Sequence, residues 1–320
     1  MQSERPDKLN LPKGENLLPP EKIGDYFYVV NPEGVGIYTV DICQPRGSST
    51  ARAILNASAG YDEVHFQPWK FVQRYSRQLA ERDLDPNVVI NQRGDARMIL
   101  LKETPGGPND RRENFDPVQI LLEQGVREEQ VRAMVGLREP FAQFASWKKF
   151  DDTRQADTFL KGQHFVLGLL ENYKDQGITV VPFVFELLYP NPGEYLLWIY
   201  NDRLGLENIT LPKDLRFAAN PKVTWHEANP ALDNLGLKND VGSRYYERVV
   251  KPIAEREVFA IPQPKIPILA ADLSSELAEA SRTYLAQAAN IYQFSVENGL
   301  PRNTHFESYL KEYSEFLRQI

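Results

Sequence analysis

The chain is poor in the side chains that most enzymes use as nucleophiles and soft ligands. Its 320 residues include one cysteine, Cys43, and four histidines, His65, His164, His226 and His305. One cysteine closes no intrachain disulfide, and nothing calls for an oxidising compartment. No two histidines stand at the i, i+4 spacing of a helical zinc site. No Asp-x-Asp-x-Asp loop is present either, so neither a metal nor a cofactor is expected.

Long apolar runs are also missing. No stretch approaches the roughly 20 residues of a membrane-spanning helix. The polar, proline-rich residues 1–24 lack the apolar centre of a signal peptide, so a cytoplasmic location is the expectation. Basic runs are absent beyond pairs such as Arg111-Arg112 and Lys148-Lys149, and the net charge is −7. Phosphate neutralisation drives non-specific nucleic-acid binding, so nucleic acid is an unlikely partner.

What is present is an ordinary globular composition, 42% hydrophobic and 25% charged. Fifteen Tyr and 16 Phe allow a large, rigid core. Residues 1–24 read as an extended arm, because Pro6, Pro12, Pro19 and Pro20 disfavour helix.

Residues 25–103 read as an α+β unit. Tyr26–Val30 and Val35–Cys43 form a strand pair around the turn Asn31–Gly34, and Ala51–Leu55 is a third candidate strand. A helix is predicted over Pro68–Arg82, with Phe71, Val72, Tyr75 and Leu79 on one face. Val88–Ile90 and Met98–Leu101 read as strands around the Arg93-Gly-Asp95 turn.

Residues 104–117 (TPGGPNDRRENFDP) read as a linker or long loop. Residues 118–267 then read as a helical region plus a β-hairpin. Helices are predicted over Val118–Gln124, Glu128–Val135, Phe141–Phe150 and Thr153–Gln176. The apolar runs Ile178–Tyr189 and Tyr195–Tyr200 flank a Pro-Asn-Pro-Gly turn and read as the two arms of the hairpin. One more helix is expected over Ser243–Arg256.

Residues 268–320 read as a C-terminal helical hairpin. Asp272 or Ser274 caps its first helix, and Thr304 with Glu307 makes a capping box for the second. The fold class expected is therefore α+β: a mixed N-terminal unit, a helical middle, one long apolar β-hairpin and a C-terminal αα-hairpin.

Three places carry candidate chemistry. In Val223–Pro230 (VTWHEANP), His226 is the residue best suited to acid–base work, since imidazole titrates near neutrality. Glu227 beside it and Asp202, past the apolar run 195–200, are the supporting carboxylates. A packed loop histidine and ordinary turn residues are the simpler readings. In Gln44–Thr50 (QPRGSST), Gly47, Ser48, Ser49 and Thr50 offer backbone N–H groups and hydroxyls to a phosphate. The segment lacks the glycine spacing and the lysine of a P-loop, and a plain turn is the simpler reading. Cys43, which ends a strand, reads as a small buried hydrophobe.

These observations favour a non-catalytic assembly or interaction subunit, docking through its arm and aromatic surfaces on a protein partner or on itself. The C-terminal hairpin, which must rest its apolar face on something, supports that reading. The alternative is a hydrolase or group transferase with His226 as acid/base. A second alternative is a nucleotide- or phosphate-binding regulatory domain using residues 44–50.

Overall fold

The computed structural model describes residues 17–44, 60–106, 113–148, 155–207, 209, 223–226, 232, 263–264 and 274–320. Its strands are β1 (Phe27–Val29), β2 (Ile37–Cys43), β3 (Glu63–Phe66), β4 (Val88–Ile90), β5 (Met98–Glu103), β6 (Val131–Leu137), β7 (Thr179–Val184) and β8 (Val223–Trp225). Its helices are α1 (Pro68–Glu81), α2 (Pro117–Glu123), α3 (Pro140–Lys148), α4 (Ala156–Asp175), α5 (Pro192–Leu197), α6 (Ser275–Glu297) and α7 (Thr304–Leu317).

Six strands form one sheet in the order β7-β6-β2-β5-β3-β8, and every pairing in it is parallel. β1 and β4 make a separate parallel pair, Phe27 opposite Val88. Parallel strands covered on both faces need apolar residues on both, and the runs IYTVDIC, MILLKE and VRAMVGL satisfy this. On one face Val64, Leu100, Met134, Val181 and Phe183 pack with α3, α5, α6 and α7. On the other, Val40, Ile42, Leu101, Ala133 and Val135 pack with α1, α2 and the later turns of α4.

The fold is thus mixed α/β around a parallel sheet, and the α+β expectation is corrected. No β-hairpin occurs among the described residues. The two runs taken as a strand pair, 26–30 and 35–43, pair with β4 and with β5 and β6 instead. The strands around the Arg93-Gly-Asp95 turn likewise go to different sheets, and that turn closes through Gly94 N–H to the Asn91 carbonyl at 2.8 Å.

The helix expected over Glu128–Val135 is a 3-10 turn, Glu128–Gln130, running into strand β6. A short apolar run has no period that separates a buried strand from a buried helix. The converse error occurs at Tyr195–Tyr200. This run is the end of α5 and a wider π-type turn, Trp198–Arg203, with Tyr195, Leu196, Trp198, Ile199 and Tyr200 all buried. Pro192 in its first turn suits a helix start, where the missing N–H is not needed.

Helices α1, α2, α3, α4, α6 and α7 lie where the periodicity puts them. Ser274 caps α6, its hydroxyl accepting from Leu277 N–H at 3.3 Å. Asn303, not Thr304, caps α7 by accepting from Phe306 N–H at 3.0 Å. Glu307 instead pairs with Arg302 and accepts from the Tyr292 hydroxyl. The end of the proposed arm belongs to the core: Leu18 and Ile23 are buried, and Leu18 N–H donates to the Gln73 carbonyl of α1 at 2.8 Å. Residues 1–16, the candidate strand 51–55 and the candidate helix 243–256 lie outside the described residues.

Candidate functional site at the carboxyl ends of the strands

The sheet order fixes where a ligand crevice opens. From β2 the chain moves on to β3, past the position of β5, whereas from β6 it moves the opposite way to β7. β2 and β6 are neighbours, so their onward connections part between them and leave a gap beyond their carboxyl ends. A cleft of about 360 Å³ lies there. Its floor is Gln44, just past β2, with Gly136, Leu137 and Arg138 at the end of β6 and Gln143 of α3. Its walls are α4, through Leu160, His164 and Leu167, and α6, through Ala280, Thr283 and Tyr284.

The floor is stitched to the helices. Gln44 donates its side-chain amide to the Phe159 carbonyl of α4 at 2.5 Å, and its own carbonyl accepts from Gln143 at 3.4 Å. Gly162 of α4 lies against Gly106, which follows β5 with φ +77°, so closely that a Cβ on Gly162 would strike the Gly106 carbonyl. The segment leaving β5 is thereby held beside the cleft wall.

One strand over, β5 ends in Glu103, which is fully buried. Gln67 precedes α1 in a left-handed conformation, φ +57°, and makes no cap. Glu103 caps the helix instead, accepting from Trp69 N–H at 2.7 Å and Lys70 N–H at 3.2 Å, while its other oxygen accepts from Thr104 N–H at 3.1 Å. Burial pushes its carboxyl up to about 7, against the opposing pull of Lys102, Lys70 and these N–H groups. A carboxyl at that value exchanges protons near neutral pH. Beside it, Lys70 Nζ donates to the Thr104 carbonyl at 2.9 Å and pairs with Glu113 at 3.2 Å, and Arg74 pairs with the same carboxylate at 3.1 Å.

Behind the cleft lies a buried carboxyl pair. Glu139 caps α3, accepting from Phe141 N–H at 2.8 Å and Ala142 N–H at 2.6 Å. Glu186 accepts from Glu139 N–H at 3.1 Å. The hydroxyls of Tyr313 and Ser281 donate to Glu139, and that of Tyr284 donates to Glu186. Burial raises both carboxyls above the ordinary range, and the charge of Glu186 raises Glu139 further. The C-terminal hairpin is therefore fastened to the sheet through two carboxyls, and Tyr284 joins that fastening to the cleft wall.

The candidate residues read from sequence are not gathered at this cleft. His226 follows β8 at the far edge of the sheet, stacked on His65 and bonded to it at 3.0 Å. Asp202 is exposed on the π-type turn. That turn leads to Leu204, whose carbonyl accepts from Arg132 near the amino end of β6, so Asp202 lies toward the amino ends of the strands, away from the cleft. Glu227, Gly47, Ser48, Ser49 and Thr50 lie outside the described residues, although Gln44, which opens that last segment, forms the cleft floor. His164 is exposed on the cleft wall, and Cys43 is buried. Among the described residues no three His, Cys, Asp or Glu side chains are grouped to hold a metal, and no helix is long and apolar enough to cross a membrane.

Glu103, Arg138, Glu139 and Glu186 were not singled out from sequence. A usable signal existed for Glu103: a carboxylate closing a buried apolar strand immediately before a Gly/Pro-rich segment.

No protein-family model matches the chain, and no curated protein matches it. Among solved structures it is similar to mouse sulfotransferase SULT7A1 complexed with PAP, with 11% sequence identity, 94% of each chain covered and a TM-score of 0.42. The expectation of a non-catalytic assembly subunit, and the leaning against an enzyme, are corrected here. The physical supports for a docking subunit fail: the C-terminal hairpin covers its apolar face on the chain's own core, and the end of the arm is packed on α1.

Proposed function

We propose that the chain is a group transferase that holds a phosphate-bearing small-molecule donor in the cleft between the carboxyl ends of β2 and β6. The observation that carries this reading is the cleft's position, where the two onward connections part. The segment leaving β2, Pro45-Arg-Gly-Ser-Ser-Thr50, supplies backbone N–H groups and three hydroxyls suited to phosphate oxygens. Arg138 on the cleft floor adds a guanidinium, which matches phosphate by paired N–H donors.

Transfer to an acceptor hydroxyl needs a base. As the acceptor oxygen bonds to the migrating group, the bond from that group to the donor's phosphate oxygen breaks, and the electron pair stays on the phosphate. The acceptor's proton passes to water at the cleft mouth, since Glu103, fully buried on β5, is not among the residues that line the cleft.

Calorimetric titration with PAP, ADP and inorganic phosphate tests the donor site. Saturable binding of at least one nucleotide is expected, weakened roughly 10- to 100-fold in Arg138→Ala, the loss of a charge-assisted contact. No binding of any of the three, or equal binding by the variant, overturns the reading.

A further inference from the structure

A second polar constellation lies away from the cleft and has no part in the proposed transfer. Glu63 opens β3, His65 stands two residues on and faces the same way, and His226 directly follows β8. β3 and β8 pair in parallel with His65 opposite Thr224, which brings the two imidazoles together although 161 positions separate them. Their rings stack with centroids 5.3 Å apart, and His65 Nδ1 meets His226 Nε2 at 3.0 Å. The other nitrogen of His65, Nε2, meets Glu63 Oε2 at 2.9 Å.

The proton positions follow from the chemistry of the chain. Glu63 is held ionised below the usual carboxylate range, first by its bond to His65, against its partial burial, and also by Asn91 N–H and Arg93. An ionised carboxylate accepts only, so His65 donates from Nε2. His65 Nδ1 is then a bare lone pair in the neutral ring, and it accepts from His226 Nε2–H. One extra proton can enter at His226 Nδ1 and leave the chain of bonds intact. A further proton on His65 Nδ1 removes the acceptor and sets two N–H donors and two positive charges against each other.

We propose that the Glu63–His65–His226 chain is a pH-sensitive lock that holds β8 on the edge of the sheet when the imidazoles are neutral and releases it on acidification. β8 is a three-residue strand at the sheet's margin, bonded on its inner side to β3. His226 N–H extends the ladder by donating to the Phe66 carbonyl at 3.2 Å. Among the described residues, an edge strand this short has few other bonds to keep it in place.

Among the described residues, the surroundings offer little to offset the added charge. From α1, Phe71 faces His226 with centroids 5.8 Å apart, and the neighbouring Lys70 and Arg74 turn to Glu113 while Arg77 turns to Glu81. From β2, Tyr38 lies within the field of Glu63, and from the β4–β5 turn so does Arg93. Among the described residues, Glu63 is thus the anion that faces the pair, and it is already engaged. Burial, with His65 beside it, holds His226 well below the ordinary imidazole value of 6.5. A group depressed in the docked state binds its proton more readily when released. Docking therefore weakens as pH falls below about 6.5 and is fully present above it.

Hydrogen exchange of the full chain, corrected for intrinsic rates, tests the lock at pH 7.5, 6.5 and 5.5. Opening of the Thr224, Trp225 and His226 amides is expected to rise up to tenfold per pH unit below 6.5 for each proton taken up, while β5 amides stay level. His226→Phe, which keeps the stacking, and His65→Gln, which keeps an acceptor for His226, should both flatten that slope. Imidazole nitrogen shifts at pH 7.5 should show His65 protonated at Nε2 alone. Level protection of β8 across the range, loss of β5 protection in step with β8, a wild-type slope in either folded variant, or His65 protonated at Nδ1 overturns the proposal.

Discussion

Gln44 donates its side-chain amide to the Phe159 carbonyl, tying the exit of β2 to the first turn of α4. That bond fixes the floor of the cleft against its wall and sets where the segment after β2 begins. Gln44→Ala removes it, together with buried contact. Such a bond contributes about 1 kcal/mol net, so the variant should stay folded. Its effect should be larger on the cleft: phosphate-ligand affinity falls several-fold while the urea midpoint moves little. A variant with unchanged affinity and a large loss of stability would mean that Gln44 serves the core alone.

Glu103 holds the start of α1 from the end of β5. As the cap of α1 it satisfies the helix N–H groups that Gln67 leaves open, and removal of a cap weakens a protein by about 0.5–2 kcal/mol. Glu103→Ala should show that loss. Glu103→Gln keeps one carbonyl oxygen for the cap and should lose less. The carboxyl is raised to about 7. Wild-type stability from this group is therefore full below pH 4.5, falls between pH 4.5 and 7, and is level above. Glu103→Gln should lack that decline in denaturant melts taken at pH 5 and pH 8.

The Glu139–Glu186 pair gives a prediction of the same sign at a different place. Both carboxyls are raised by burial, so each keeps its proton in the fold at pH values where the unfolded chain has lost it. Stability is then greatest below the unfolded value of 4.5 and falls as pH rises toward the folded values. Glu186→Gln preserves an acceptor for the Tyr284 hydroxyl and removes the buried ionisation. Its stability relative to wild type should improve steadily from pH 4 to pH 8 in urea melts. A constant difference across that range would show that Glu186 is not the group responsible.

The parts of this fold that can be read from sequence are those with a local signature. α1, α6 and α7 show apolar stripes, and Ser274 marks the start of α6 by its own side chain. β6 does not, because Glu128-Glu129-Gln130 resembles a first helical turn and the run after it is buried on both faces. Parallel pairing is equally hidden, since the turns at Asn31–Gly34 and Asn91–Gly94 look like hairpin tips. The site is non-local throughout. Gln44, Arg138 and Tyr284 come from three separate elements, and only the sheet order brings them to one cleft. His226 was legible as a titratable residue, but its partner is His65 across a strand pair rather than Glu227 beside it in sequence.

Two glycines of α4 separate packing from propensity. Both are six positions apart on one helix, and both lack a positive φ, so alanine fits either backbone. At Gly168 an added Cβ meets nothing within 4 Å. Alanine there should stabilise by about 0.5–1 kcal/mol through helix propensity alone. At Gly162 the added Cβ meets the Gly106 carbonyl and presses on Gln44 Nε2 at 3.0 Å. Backbone cannot swing aside as a side chain can, so Gly162→Ala should destabilise by about 1–3 kcal/mol. It should also displace the segment after β5, which carries Thr104, the partner of Lys70, away from the cleft wall. Thermal melts of the two variants side by side decide the matter. Opposite signs place the contact between α4 and Gly106 at the base of the cleft, whereas two stabilised proteins would show that the wall stands without it.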